Sequence, residues 1–267
     1  YYGLDRSLPH QYGHYFTRLV HGDLGSSIVT HAPVLQEIAR RAPWTLLLIG
    51  GSLLVATAIG LIAGVQAGWH RGQLVDRLLL ASLLAIREFP AFLLGSLLLF
   101  VFAVKLRWLP LSGARTPFSS HWSIARQSLD IARHLALPAL VLTVGLAAGS
   151  YLIMRSGMVS ELGADYLSLG RAKGLQDRRL KYRHAARNAL LPVVALVSLQ
   201  LGYVVTGDVV IERVFAYPGL GNLIFESIGT RDYPMLQGVF LVVSISVVSL
   251  NATAEALYRR LDPRTSA

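Results

Sequence analysis

The side chains with the most chemical potential in this chain are charges set inside apolar sequence. Arg87 and Glu88 interrupt the run from Leu78 to Val104, and Asp208 and Glu212 lie at the end of the run that starts at Ala189. An ionisable group at the centre of a spanning helix costs about 2.5 to 3.5 kcal/mol on insertion scales, so such groups face a bundle interior or a water path and are functional candidates by default. The chemistry open to them is non-covalent: opposite charges that pair with the ends of a zwitterionic solute, or with a chelated metal ion in transit. Asp208 and Glu212 are one helical turn apart, which on a continuous helix puts both on one face. His10 and His14 share that spacing, but with no third ligand nearby a solvated helix face is the better reading than a metal site.

Covalent chemistry is missing from the pattern. There is no cysteine, so no disulfide, thiol nucleophile or cysteine metal site. Neither HExxH nor GxSxG occurs, which argues against a membrane-embedded hydrolase. No GxxxxGK[ST] loop occurs either, so an ATP-driven process would need an ATPase on another chain. No catalytic residue, metal or cofactor is assigned to this chain.

The 267 residues are 53% hydrophobic and only 15% charged, against about 25% charged in a soluble domain, so the composition is that of a membrane protein. The net charge of +10 does not point to nucleic acid. Its excess sits in one central stretch and near the ends of apolar runs, where anionic lipid headgroups and a partner protein are better matches.

The elements that would carry the charged residues are five apolar segments, an all-α integral membrane fold. They are Pro43 to Trp69, Leu78 to Val104, Leu135 to Met154, Ala189 to Ile211, and a last one running from near Arg231 to about Ala254. Residues 1–42 form a polar segment before them, and 43–267 form the membrane domain. Gly60 and Gly64 have the small-xxx-small spacing that lets helices approach closely. Between the third and fourth segments, Ala164 to Pro192 carries Arg171, Lys173, Arg178, Arg179, Lys181, Arg183 and Arg187, too many cations to remain in hydrocarbon. It is also too short to close a core of its own. Tyr166, Leu169 and Ala172 recur at helical spacing, Gly174 supplies a helix stop, and Asp177 is an expected N-cap for a second short helix.

AKGL at Ala172 to Leu175, followed by RHAARNALLP at Arg183 to Pro192, resembles the EAA loop of the membrane-spanning permease subunits of ABC importers in the oligopeptide, dipeptide and nickel branch. The resemblance covers essentially the whole chain. It implies that residues 155–188 form a cytosolic loop whose short helix seats in a groove of a cytosolic ATPase. The expected ATPase-coupling residues are Asp165, Tyr166, Leu169, Gly170, Arg171, Ala172, Lys173, Gly174 and Leu175. Two positions depart from the pattern: Gly170 stands where a second Ala is usual, and Gln176 where a capping Ser is common, so the helix ends are expected to be less well capped. Pro218, Gly219, Leu220 and Gly221 resemble a scoop-like reversal at the outer mouth.

The expected pathway residues are Arg87, Glu88, Pro90, Asp208, Glu212 and Asn251, the last at a place where the family also has Asn. Asp208 departs from the small residue usual there. The resemblance further implies an additional helix before Tyr1, giving six in the complete family member. It implies a second homologous permease subunit, two ATPase subunits that bind ATP and Mg, and an extracytoplasmic substrate-binding protein. The setting is the bacterial or archaeal inner membrane, the mechanism is alternating access, and the substrates are peptides or a nickel or other metal chelate. The alternative from another class is an ion channel or proton-coupled secondary transporter using the same buried charges, which leaves AKGL without a role.

Overall fold

The computed structural model describes residues 7–261, and side chains through Ala256. Among them the regular elements are helices, joined by loops with one isolated antiparallel bridge between Ser26 and Pro33. After α1 (Leu8–Val20) come three helices long and apolar enough to cross a membrane: α2 (Val34–Trp69), α5 (Ile124–Glu161), and the Tyr233–Ala256 part of α11 (Tyr233–Leu261). Two bent pairs raise the total to as many as five: α3 (Leu74–Arg87) with α4 (Ala91–Lys105), and α7 (Asp177–Ala189) with α8 (Leu191–Thr206). The rest are α6 (Asp165–Ala172), α9 (Val209–Val214), α10 (Leu220–Thr230) and a short 3-10 turn at Ser119–His121. The basic stretch Leu257 to Arg264 falls partly outside the described residues.

Three expected segments take a different form. The run from Leu78 to Val104 is an elbow bent by 93°, not one helix. Pro90 has no N–H to continue the helix and disfavours helical backbone at Phe89, so the chain restarts at Ala91 with Pro90 as its cap. Arg87 and Glu88 therefore end the first arm instead of lying mid-helix. The third segment extends well beyond Leu135 to Met154 because its charged first turns are satisfied in place. Asp130 accepts bonds from the Thr116 N–H and hydroxyl, both at 2.7 Å, and the Arg126 guanidinium lies 3.9 Å from the centre of the Trp122 ring. The fourth segment stops at Thr206, because Gly207 takes φ +77° and breaks the helix before Asp208.

The bundle is closed by a seam between α2 and α5. Ser52, Ala56, Gly60, Gly64 and Gly68 recur every fourth residue and are all buried. A Cβ on Gly60 would stand 2.6 Å from the Ser150 Cβ and 2.8 Å from the Ala147 carbonyl, and one on Gly64 2.7 Å from the Met154 Cβ. The backbones meet because nothing projects between them. Gly64→Leu is expected to cost about 3 kcal/mol, the upper end for overpacking, since it strikes helix backbone that has no room to yield. Thermal unfolding in detergent would register that loss, whereas Gly229→Leu, where a side chain meets open space, should change little.

Three apolar clusters fill the interior. One gathers Val65, Met154 and Met158 with Leu167, Leu180 and Ala189 of the central stretch. The second joins Leu48, Leu53, Val141 and Val204 to Ile211, Phe215 and Tyr217, and the third joins Val34 and Ile38 to Leu220, Leu223, Met235 and Val239. Thr45 and Val65 of α2 are about 30 Å apart at 1.5 Å per residue, so α2 links two sites at opposite ends of the bundle.

Candidate functional site

At one end, α6 lies with one face down and the other bare. Leu167 is fully buried beneath it, and Tyr166 and Leu175 pack on the same cluster. Leu169 is 57% exposed, and Arg171, Ala172, Lys173 and Gly174 are exposed beside it. The helix ends in a left-handed Gly174 at φ +76°, with the Leu175 N–H donating to the Gly170 carbonyl at 3.1 Å, the bond of a Schellman stop. Gly170 differs from the expected Ala for a local reason: a Cβ there would come 2.6 Å from the Leu180 Cδ2. The next short helix is capped by Gln176 without a side-chain bond. Asp177, expected as that cap, is instead the first helical residue, and its carboxylate accepts from Arg171 Nε at 3.3 Å.

The base of this protrusion is tied down by polar side chains. The Tyr166 hydroxyl donates to Glu161, and Asn188 Nδ2 reaches both, at 3.1 Å to Glu161 and 3.2 Å to Tyr166. Burial, followed by the Glu161 carboxylate, pushes the Tyr166 phenol up to about 12, so it is a neutral donor at physiological pH. Gln66 of α2 is held from two sides, accepting from Lys181 Nζ and donating to the Tyr182 hydroxyl at 2.7 Å. Arg155 of α5 grips Asp76 of α3 with two bonds, Nε to Oδ1 at 2.6 Å and a terminal nitrogen to Oδ2 at 2.8 Å, while the Gly72 N–H donates to the same carboxylate at 2.9 Å. Asp76 is only 3% exposed. Short polar links thus tie α6 to α5, α7 to α2, and α5 to α3.

Glycine at 174, like Gly72 at φ +78°, sits at this end in a left-handed backbone that demands it. Gly174→Val is expected to cost about 1 to 2 kcal/mol through the left-handed geometry alone, with the rest of the bundle unaffected because no atom lies within 4 Å of a Cβ there. The measurement is paired thermal unfolding and amide exchange of α6; a loss of protection confined to α6 is the expected pattern.

At the other end, the chain reverses around one carboxylate. Glu212 is completely buried: Oε1 accepts from the Thr45 hydroxyl at 2.8 Å and Oε2 from the Asn222 N–H at 2.9 Å. Thr45 Oγ1 in turn accepts from the Leu220 N–H at 2.7 Å. The Pro218 to Gly221 turn thus wraps the start of α10 over the carboxylate, where free backbone N–H groups favour an anion. Gly219 leaves no space for a Cβ, which would run into the Glu212 carboxylate itself. Glu212 therefore holds the reversal together and, with both oxygens engaged, faces no open path.

The remaining expected pathway residues fall on three different elements. Asp208 does not share a helix face with Glu212: it caps α9, its Oδ1 accepting from the Ile211 N–H at 2.9 Å. Arg87, Glu88 and Pro90 are exposed at the elbow, and Asn251 is exposed on α11 against Gly202 of α8. Asp232 is a residue whose role sequence reading missed. It is buried, accepts from the Ser27 hydroxyl and from the Ile28 N–H at 3.2 Å, and so pins the loop before α2 to the start of α11. Among the described residues no three carboxylate or imidazole side chains gather as a metal-ligand set.

A polytopic helical bundle with bent spans, an interhelical protrusion bare on one face, and a carboxylate-centred reversal at the other end defines a membrane transport subunit. Residues 56–267 match the family model described as binding-protein-dependent transport system inner membrane component, and the chain belongs to that family. It is 38% identical to the glutathione transport system permease protein GsiC of Escherichia coli over 98% of this chain and 80% of the relative. The same protein of Pectobacterium atrosepticum is also 38% identical over the same shares. Among solved structures, the inward-facing MetNI methionine ABC transporter superposes with a TM-score of 0.67 at 18% identity, covering 85% of this chain and 97% of that one. An amino acid ABC transporter superposes with a TM-score of 0.54 at 13% identity, covering 92% and 98%. The chain is a multi-pass inner-membrane permease subunit of an ABC importer, not an enzyme, and works with an ATPase and a substrate-binding protein.

Proposed function

We propose that this permease subunit carries a short peptide across the membrane and takes its driving force through the bare face of α6. The observation that carries the coupling half is the exposure of Leu169 and of Arg171 to Gly174 on a helix whose other face, through Leu167 and Gly170, is buried against the bundle. A helix with an apolar side chain at its crest and Arg171 and Lys173 beside it suits a groove with an acidic rim, and the polar links of α6 to α5, of α7 to α2 and of α5 to α3 suit rigid-body transmission. On this reading residues 155–188 are cytosolic, the Glu212 reversal is at the outer mouth, and a second permease subunit completes the pathway. Exposed Arg115 and Arg126 then face an outer binding protein.

The peptide half is supported by relatives named for glutathione, itself a tripeptide. Arg87 and Glu88 are exposed at the elbow and Asp208 is partly exposed as a cap, and their mixed sign suits a zwitterion. Nothing in the fold favours a channel or proton-coupled carrier. The test is reconstitution with the second permease, the ATPases and the binding protein in proteoliposomes. ATP-dependent uptake of di- or tripeptides is expected; uptake of a nickel chelate with no peptide uptake would overturn the substrate assignment.

A further inference from the structure

Beside the α2–α5 seam, Ile59, Ile62 and Ala63 of α2 and Val75 and Leu79 of α3 wall an open apolar groove of about 470 Å³, with Gln66 and His70 as its last residues on α2. Ile59, Ile62 and Val75 are exposed in it. Ile59 and His70 are about 16 Å apart at 1.5 Å per residue, close to the depth of one leaflet when the hydrocarbon is about 30 Å thick. The charge-free stretch of α2 stops at Trp69, so the groove runs from mid-membrane to the headgroup level. A second hollow, about 480 Å³, opens among Gln176, Arg178, Arg179, Tyr182 and Arg183. The two adjoin where Gln66 Nε2 donates to the Tyr182 hydroxyl at 2.7 Å. Arg178, Arg179 and Arg183 are exposed, and among the described residues none of them pairs with a carboxylate. Asp177, the acid nearest to them in sequence, pairs with Arg171. Three such guanidinium groups suit a phosphate, and an apolar groove one leaflet deep suits an acyl chain. An ATPase could offer acids to the arginines but nothing to a groove below the headgroups.

We propose that the two hollows form one site for an anionic phospholipid, with its phosphate held by Arg178, Arg179 and Arg183 and an acyl chain laid along Ile59, Ile62 and Leu79. The bound lipid touches α2, α3 and α7 together. The site is independent of the transported substrate; only the naming of its leaflet as cytosolic rests on the placement of residues 155–188 given above.

The experiment uses the importer assembled with its partner subunits in detergent and reads, by native mass spectrometry, the binding of phosphatidylglycerol and of phosphatidylcholine with the same acyl chains. Wild type is expected to prefer phosphatidylglycerol. Joint Arg178→Gln, Arg179→Gln and Arg183→Gln should weaken phosphatidylglycerol about tenfold and leave phosphatidylcholine level. Ala63→Trp fills the groove, leaves every arginine in place, and should weaken phosphatidylglycerol several-fold. Inorganic phosphate in excess should not displace the lipid. Equal binding of the two lipids to wild type, no loss in either variant, or displacement by inorganic phosphate would overturn the site. Lipid held by the permease subunits but released when the ATPases are added would also overturn it, since the arginines would then belong to that interface. A failure of the cytosolic placement reads differently: Lys173→Cys, the sole cysteine in the chain, would react with an impermeant maleimide from outside while lipid binding stayed as predicted.

Discussion

Glu212→Ala is expected to destabilise the protein by about 4 kcal/mol and to abolish transport. The carboxylate accepts from the Thr45 hydroxyl and the Asn222 N–H, with Gly221 a further backbone donor. Truncation leaves each of these donors buried and unpaired, at about 1 to 3 kcal/mol apiece. Thr45 also accepts from Leu220, so losing its own acceptor frees the hydroxyl to turn and loosens the start of α10. Glu212→Gln keeps the shape and one good acceptor but points an NH2 group at a donor, and an intermediate loss of about 2 kcal/mol is expected. Thermal unfolding in detergent orders the three proteins. If Glu212→Ala were as stable as wild type, the carboxylate would not be what holds the reversal.

The second large effect is at the Asp76–Arg155 pair. Removing either partner leaves the other charge stranded beside apolar helices, and breaking a buried pair in this way costs about 3 to 5 kcal/mol. Arg155 is the more exposed of the two, with 24% of its side chain accessible against 4% for Asp76, so Arg155→Ala should be the worse change because it strands the deeper charge. Asp76→Asn retains the bond from Gly72 and is expected to be milder than Asp76→Ala. The pair joins the first turn of α3 to the helix that leads into α6, so a second consequence is expected at surviving stability: ATP hydrolysis continues while substrate movement per ATP falls. A double-mutant cycle in which the two single losses simply add would contradict a direct pairing.

Much of the architecture was legible because it is written locally. Each apolar run announces itself by length, and the stop at Gly174 follows from a helical repeat ending in the one residue type that takes φ +76° without strain. The seam at Gly60 and Gly64 was likewise visible in the spacing, although Ser52, Ala56 and Gly68, which extend it, were not singled out. What stayed hidden depends on partners far along the chain. Nothing near Glu212 announces that Thr45, 167 residues away, will bond to it, and Asp76 meets Arg155 across 79 residues. A charge in an apolar run reads as a pathway candidate because local sequence cannot distinguish an acceptor for backbone N–H groups from a group facing water. The elbow at Pro90 is a different failure: the proline was visible, but a kink and a sharp bend share that signal.

The central claim is that the bare face of α6 is where an ATPase seats. Absence of cysteine from the chain allows one to be placed at will, at Leu169 or Lys173 on that face and at His31 at the other end of the bundle as control. With the partner subunits assembled and a short bifunctional cross-linker added, Leu169→Cys and Lys173→Cys are expected to give a covalent adduct with the ATPase and His31→Cys none. Adducts that form equally from His31, or an ATPase that still co-purifies after residues 165–175 are removed, would contradict the account.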